Sequence, residues 1–271
     1  MPPRTNPLLQ ELVVTLYGLY ADGELGELPI AGLIRLLAGL GVEEQAARAT
    51  VSRLKGKGIL RHRREGSTSL YSLNPGILDL FRADDERIFA PLRSTPQDPW
   101  ALIVFSVPEA QRNRRYELRT ELVSLGFGFV AAGVAIAPRT VLDQARERLE
   151  ARGLDGFTEC FAGDYLTGAD IRAKVAAWWD LAGLDEQYAA FIADYETIEG
   201  PSPDGAEADQ AAFAVYVPML TRWRRFPYRD PNLPLEFLPE GWPAPSAKAA
   251  FLRLHAELAG PAAEHARRAL A

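Results

Sequence analysis

The sequence predicts an α+β chain in three parts, and three observations carry that reading. Helical periodicity repeats three times near the start and gives way to two short extended runs around a glycine turn. The middle alternates strand and helix patterns, and the remainder is helical with a proline-rich segment. At 271 residues, with roughly 150 residues per domain as a guide, two or three domains are expected. We place the divisions at 1–90, 91–165 and 166–271; Pro91, Pro96 and Pro99 crowd the first boundary, and Gly200 to Gly205 forms another breaker cluster within the last part.

In the first part, Leu9, Leu12, Val13, Leu16 and Leu19 recur at helical spacing, and Ile30, Leu33, Ile34, Leu37 and Leu40 do so again. A turn at Gly39 and Gly41 leads to a third helix, Glu43 to Lys57, whose inward stripe is Ala47, Thr50 or Val51, and Leu54; Gly56 and Gly58 end it. Two extended runs follow, Ile59 to Arg64 and Leu70 to Leu73, around Glu65-Gly66-Ser67, which is a hairpin signal. Three helices and then a hairpin is the order of a winged helix-turn-helix.

The middle part begins with the apolar run Trp100 to Val107, ended by Pro108, and continues with a helix from Arg112 to Leu125. An apolar run from Gly128 to Ala137, which Gly133 splits or bends, precedes a helix from Arg139 to Arg152 and a last short strand from Gly156 to Phe161. This βαββαβ order predicts a ferredoxin-like unit with both helices on one face of a small sheet. In the last part, Leu184, Tyr188, Phe191, Tyr195 and Ile198 form one helical stripe, while Phe213, Val217, Leu220 and Trp223 form another that contains Pro218, a residue expected to kink it. Pro227 to Pro245 keeps Leu233, Leu235, Phe237, Leu238 and Trp242 and reads as an ordered arm.

Composition narrows the function. The chain is 48% hydrophobic and 24% charged, which fits a globular protein and excludes collagen-like or disordered architectures. The apolar runs Leu12 to Tyr20 and Phe129 to Ala137 are too short to span a bilayer, and Arg4 with the run stopping at Ala21-Asp22-Gly23-Glu24 does not make a secretory signal. The single Cys160 points to a reducing compartment, so a cytoplasmic protein is expected. The net charge of −6 argues against a uniformly basic coat, yet Gln45 to Ser72 carries Arg48, Arg53, Lys55, Lys57, Arg61, Arg63 and Arg64 against Glu65 alone. If the third helix buries Ala47, Val51 and Leu54, then Gln45, Arg48, Ala49 and Ser52 share its opposite face.

Arg suits guanine, Gln suits adenine and Ser is permissive at base edges. Gln45, Arg48 and Ser52 are therefore the expected base readers, and Arg53, Lys55, Arg63 and Arg64 the phosphate holders, in double-stranded DNA. Arg112, Arg114, Arg115 and Arg119 are expected to face solvent, and Trp178, Tyr188 and Phe191 to be core. His62, His255 and His265 show no metal-ligand spacing, the last two reading as surface residues of the final helix, and no phosphate-binding loop is present; neither a cofactor nor a catalytic residue is expected.

The stretch TRWRRFPYRDPNLPLEFLPEGWP from Thr221 resembles the C-terminal signature of the PaaX family, the repressors of bacterial phenylacetic acid degradation. EQAARATVSRLKGKGIL from Glu44, GSTSLYSL from Gly66 and WALIVFSVPEAQRNRRYELRTELVSLGFG from Trp100 fit the same family in order. The resemblance implies a homodimeric, ligand-responsive repressor that releases operator DNA when it binds an acyl-CoA such as phenylacetyl-CoA. Within the Arg and aromatic cluster of the signature, Arg222, Arg224 and Arg225 are the expected effector phosphate holders; an ion-paired seam with Asp230 and Glu236 is the other reading of them. The middle part of such proteins is similar to a CRISPR-associated nuclease, which supplies a metal-dependent nuclease as the competing function. The acidic ligand expected at the end of the first strand of that fold is replaced here by Ser106, a poor magnesium ligand.

Overall fold

The computed structural model describes residues 7–21, 26–77, 88–89, 93–166, 170–200 and 205–271. Arg4 and the segment 22–25, used above in judging a secretory signal, and Pro91 and residues 201–204, used as breakers, lie outside the described residues. By contacts the chain forms two compact units: residues 1–89, 194–223 and 248–271 make one, and residues 90–193 and 224–247 make the other.

The first unit opens with α1 (Pro7–Tyr20), β1 (Glu27–Pro29), α2 (Ile30–Gly39) and α3 (Glu44–Gly56), followed by β2 (Leu60–Glu65) and β3 (Thr68–Leu73). The apolar stripes face inward: Val13, Leu16, Leu33 and Leu37 are fully buried, with Tyr17 and Leu36 joining them, whereas Leu19 and Leu40 are only half-buried. On α3 both Thr50 and Val51 are buried between Ala47 and Leu54. Gly58 takes φ +70 just after the helix, a left-handed conformation that costs glycine little and turns the chain into β2. The hairpin pairs Leu60 with Leu73 through Glu65 with Thr68 around Gly66, at φ +58. β1, too short to show periodicity, adds to the far edge of β3, giving the order β1-β3-β2, antiparallel throughout.

Four strands of the second unit form a separate sheet covered by two helices. β4 (Trp100–Phe105), β5 (Gly128–Ala131), β6 (Val134–Pro138) and β7 (Thr158–Gly163) lie in the order β5-β6-β4-β7, all antiparallel. The amide of Phe105 bonds to Gly133, and a Cβ on Gly133 would lie 2.8 Å from the Phe105 carbonyl, so only glycine fits this bend between β5 and β6. The helices α4 (Arg112–Ser124) and α5 (Leu142–Ala151) cover one face, where Ala101, Ile103 and Phe105 meet Leu118, Leu122, Ala145 and Leu149. A short 3-10 turn, Arg139–Val141, precedes α5 where one continuous helix was expected. Glu121 of α4, almost fully buried, is held by the guanidinium groups of Arg148 and Arg152.

The remaining helices are α6 (Ile171–Trp178), α7 (Leu181–Tyr195), α8 (Ala206–Trp223), α9 (Phe226–Arg229) and α10 (Ala244–Leu270). Ile198 falls beyond the end of α7, so the stripe continues only to Tyr195. Pro218 lies within α8, and Phe213, Val217, Leu220 and Trp223 are all buried. His255 and His265 are half-buried rather than surface residues, because α10 turns them toward α8. His255 Nδ1 lies 2.9 Å from the Tyr216 hydroxyl, and the His265 ring packs 4.8 Å from that of Phe213. Among the described residues no helix is long and apolar enough to cross a membrane.

Candidate nucleic-acid interface

α3 presents Gln45, Arg48, Ala49 and Ser52 to solvent together, as the burial of Ala47, Thr50, Val51 and Leu54 on its other side requires. Lys55 is exposed as well, while Arg53 is half-buried and bonds to the Thr50 hydroxyl at 3.1 Å. The Lys57 ammonium reaches Gln10 of α1 at 3.1 Å. Along β2 only Leu60 is buried; Arg61, His62, Arg63, Arg64 and Glu65 all stand out in solvent, with His62 resting on the Tyr71 ring at 4.8 Å. The strand is thus anchored at one end and carries three guanidinium groups beyond the core.

Two of these cations are already paired. Arg48 bonds to Glu44, one turn earlier on α3, at 2.7 Å. Arg63 makes a two-point contact with Glu27 of β1, at 3.0 and 2.7 Å, and a further bond to Glu65 at 2.8 Å. The Arg63 guanidinium holds the Glu27 carboxyl below the usual carboxylate range, and the two carboxylates raise Arg63 in turn. Arg64 donates to the Gly66 carbonyl in its own turn. Glu44 was legible as a partner of Arg48 from its i,i+4 spacing. Glu27 was not, since only the pairing of β1 on β3 brings it near the hairpin.

The arginines of α4 are held by the fold. Arg114 bonds to Glu117 and to the carbonyls of Arg152 and Gly153, Arg115 to the Val107 carbonyl and Glu109, and Arg119 stacks over the Phe129 ring at 3.8 Å. Arg222, in the first unit, pairs with Asp194 and lies 5.9 Å from the Tyr195 ring centre. Arg224 and Arg225 belong to the second unit and are half-buried. Asp230 is buried there and serves as a hub: it accepts from Arg93 at 3.1 Å, from the Tyr188 hydroxyl at 3.0 Å and from the Asn232 amide at 2.7 Å, with the Trp242 indole at 3.4 Å. The RDPNLP signature thereby fixes the proline-rich arm. Tyr188, raised by burial and by Asp230, also stacks on Phe226 at 4.2 Å and is core.

Ser106 follows β4; its side chain is exposed and its amide bonds to the Phe157 carbonyl at 3.0 Å. Among the described residues no three His, Cys, Asp or Glu side chains gather as a metal site.

Comparison with known proteins finds three collinear matches along the chain. Residues 9–75 match the PaaX-like protein family model, residues 93–175 the PaaX protein central Cas2-like domain, and residues 179–268 the PaaX-like protein C-terminal domain. The transcriptional repressor PaaX of Escherichia coli (strain K12) is 27% identical over 257 residues, spanning 93% of this chain and 80% of that protein. A solved structure, that of the uncharacterized protein Rv0674 from Mycobacterium tuberculosis, is similar over 96% of this chain and 99% of its own, with a TM-score of 0.55 and 22% identity, a likeness of fold.

The class so defined is a transcriptional regulator and not an enzyme. Three collinear family matches covering most of its length place the chain in the PaaX family.

Proposed function

We propose that this chain is a cytoplasmic, ligand-responsive repressor that binds operator DNA as a homodimer and is released by an acyl-CoA effector such as phenylacetyl-CoA. The observation that carries the DNA-binding half is the exposed face of α3, with Gln45, Arg48 and Ser52 at steps of three and four, beside the arginine-rich hairpin β2-β3. In this proposal residues 1–90 form a winged helix-turn-helix, α3 enters the major groove, and Gln45, Arg48 and Ser52 read base edges. Arg53, Lys55, Arg63 and Arg64 hold phosphates and make affinity depend on salt. Arg48 and Arg63 exchange a carboxylate for DNA when they do so.

Residues 91–165 form the ferredoxin-like unit, a reading supported by the order β5-β6-β4-β7 with α4 and α5 on one face. Residues 166–271 complete the three-part division. The name of the Escherichia coli relative supports repression, and the effector class rests on the family resemblance. Arg224 and Arg225 are the proposed effector phosphate holders, and Arg224→Ala is expected to weaken induction while leaving DNA affinity intact. Release requires that the effector bind one conformation better than the DNA-competent one, since equal affinity shifts nothing.

The test is fluorescence anisotropy of the purified protein on DNA from upstream of its own gene, at two salt concentrations, followed by titration with phenylacetyl-CoA. Tight, salt-sensitive binding released by the thioester and not by free CoA supports the whole reading. Binding indifferent to the thioester removes the effector, and absence of sequence-preferring binding removes the regulator's DNA contact as proposed.

A further inference from the structure

Within the second unit, residues at the start of β4 together with Asp164, Tyr165, Ile171 and Phe237 line an open cleft of about 410 Å3 that the DNA-binding and effector readings leave unused. Its walls include Trp100, Tyr165, Ile171 and Phe237, with two acidic residues, Asp98 and Asp164, and the amide residue Gln97 among the lining. That volume is in the range of small-molecule sites. The Phe237 ring lies nearly parallel to that of Trp100, with centres 6.2 Å apart and an interplanar angle of 12°. Tyr165 is tilted against Trp100 at 6.2 Å, and Trp178 backs both, edge-on at 6.2 Å from Trp100 and 5.7 Å from Tyr165.

The cage is held from outside. Arg172 donates to the Glu236 carbonyl at 2.6 Å, which fixes the turn that carries Phe237. Asp98 accepts the Thr95 amide at 2.7 Å, which orients its carboxylate. Asp164 is exposed and has neither a hydrogen bond nor an ion pair for its side chain among the described residues. No lysine or arginine is among the described lining residues.

These features select one ligand chemistry. The faces of aromatic rings carry negative potential and attract cations, and two carboxylates at the same cavity add to it. A phosphate or carboxylate ligand would meet the two acidic residues with only the neutral donors of Gln97 and Tyr165, and no cation, among the described lining residues to offset them, and a neutral apolar ligand would cover the rings while desolvating the carboxylates without return. An alkylated ammonium satisfies rings and carboxylates together. We propose that this cavity binds a small organic cation carrying such a group, independently of the operator and acyl-CoA contacts.

The experiment uses the full chain, with choline as the probe and 3,3-dimethyl-1-butanol as its uncharged isostere, in amine-free buffer. Isothermal titration and tryptophan fluorescence read the binding. Choline is expected to bind saturably, with the isostere about fivefold weaker or worse, the factor that loss of the cation–aromatic attraction entails. Phe237→Leu and Asp164→Asn are each expected to weaken choline by a comparable factor. If Phe237→Leu loses its fold by circular dichroism, Asp164→Asn decides alone, since that side chain is exposed and supports nothing. Equal binding of the isostere, stronger binding of phenylacetate, unchanged affinity in Asp164→Asn, or no saturable choline binding would each overturn the proposal.

Discussion

Arg63 separates the charge a sequence carries from the charge a surface offers. Its two-point bond to Glu27 and its bond to Glu65 occupy the guanidinium that the proposed interface needs for phosphate. The Arg63 side is open to solvent and surface pairs are weak and readily exchanged, so in the proposed complex Glu27 is a competitor that DNA displaces. Because Arg63 gives up Glu27 for a phosphate in the proposed complex, Glu27→Gln is expected to tighten DNA binding severalfold at low salt while leaving the slope of log affinity on log salt, which counts phosphate contacts, unchanged. Anisotropy titrations over a salt series measure both; a steeper slope in the variant would mean that Arg63 stays on Glu27 in the unmodified complex, and an unchanged affinity would mean that Arg63 makes no DNA contact. A different residue-scale effect follows from His255. Burial lowers its pKa below the ordinary 6.5, and His265 is lowered by burial too, with Arg268 acting in the same direction and Asp209 opposing it. The folded state therefore favours neutral imidazoles, and the unfolded chain takes up protons first as pH falls. The stability contributed by these sites is full above the unfolded value and is lost as pH falls below about 6.5 through the folded values. Melting temperatures should drop between pH 7.5 and pH 5.5, and His255→Gln should flatten that profile while keeping a hydrogen bond to Tyr216 possible.

Among the elements, those with strong periodicity were legible and those built by distant partners were not. The stripes of α1, α2 and α3, the Gly66 hairpin and the split at Gly133 follow from spacing and turn chemistry, and the structure places each as expected. β1 was missed because three residues ending in Pro29 carry no alternation, and with it went Glu27, the acid that makes the two-point contact with Arg63. The proline-rich arm was legible as ordered, but its keystone was not. Asp230 reads in sequence as a charge in an Arg-rich stretch, whereas the fold buries it beneath Arg93, Tyr188 and Trp242. Asp230→Ala leaves Arg93 without its carboxylate and the Tyr188 hydroxyl without its acceptor. Breaking a buried pair in this way costs about 3 kcal/mol, with Arg93 still bonded to the Leu233 carbonyl at 2.6 Å. Urea denaturation should show that loss in stability, and a change below about 1 kcal/mol, the net worth of one ordinary hydrogen bond, would mean that the arm is held by its apolar side chains alone.

At the scale of the molecule, the order of segments along the chain differs from the order of contacts in space. Three family models follow one another in sequence, yet the first compact unit recruits residues 194–223 and 248–271 to the N-terminal helices. Tyr20 of α1 packs 6.0 Å from Phe213 of α8, and the hydroxyls of Thr15 and Thr221 bond across the two helices at 2.9 Å. The Trp223 indole donates to the Ile88 carbonyl at 3.0 Å, Phe89 meets Phe251 at 5.9 Å, and Arg35 reaches the Ala269 carbonyl at 2.6 Å. A Cβ on Gly32 would lie 2.8 Å from the Leu270 side chain, so α2 and the end of α10 are in close packing as well. These contacts bury faces of α1 and α2 that a fragment of residues 1–90 would expose. Uncovering one large apolar side chain costs about 1.5–3 kcal/mol, and in a domain of this size each kcal/mol lowers the melting temperature by about 4–8 °C. The fragment is therefore expected to melt at least about 10 °C below the full chain and to bind DNA more weakly in proportion to its unfolded population. A fragment that melts with the full chain and keeps its DNA affinity would show that α8 and α10 lie against a domain already complete without them. A destabilised fragment would instead place the C-terminal helices within the same cooperative unit as α3.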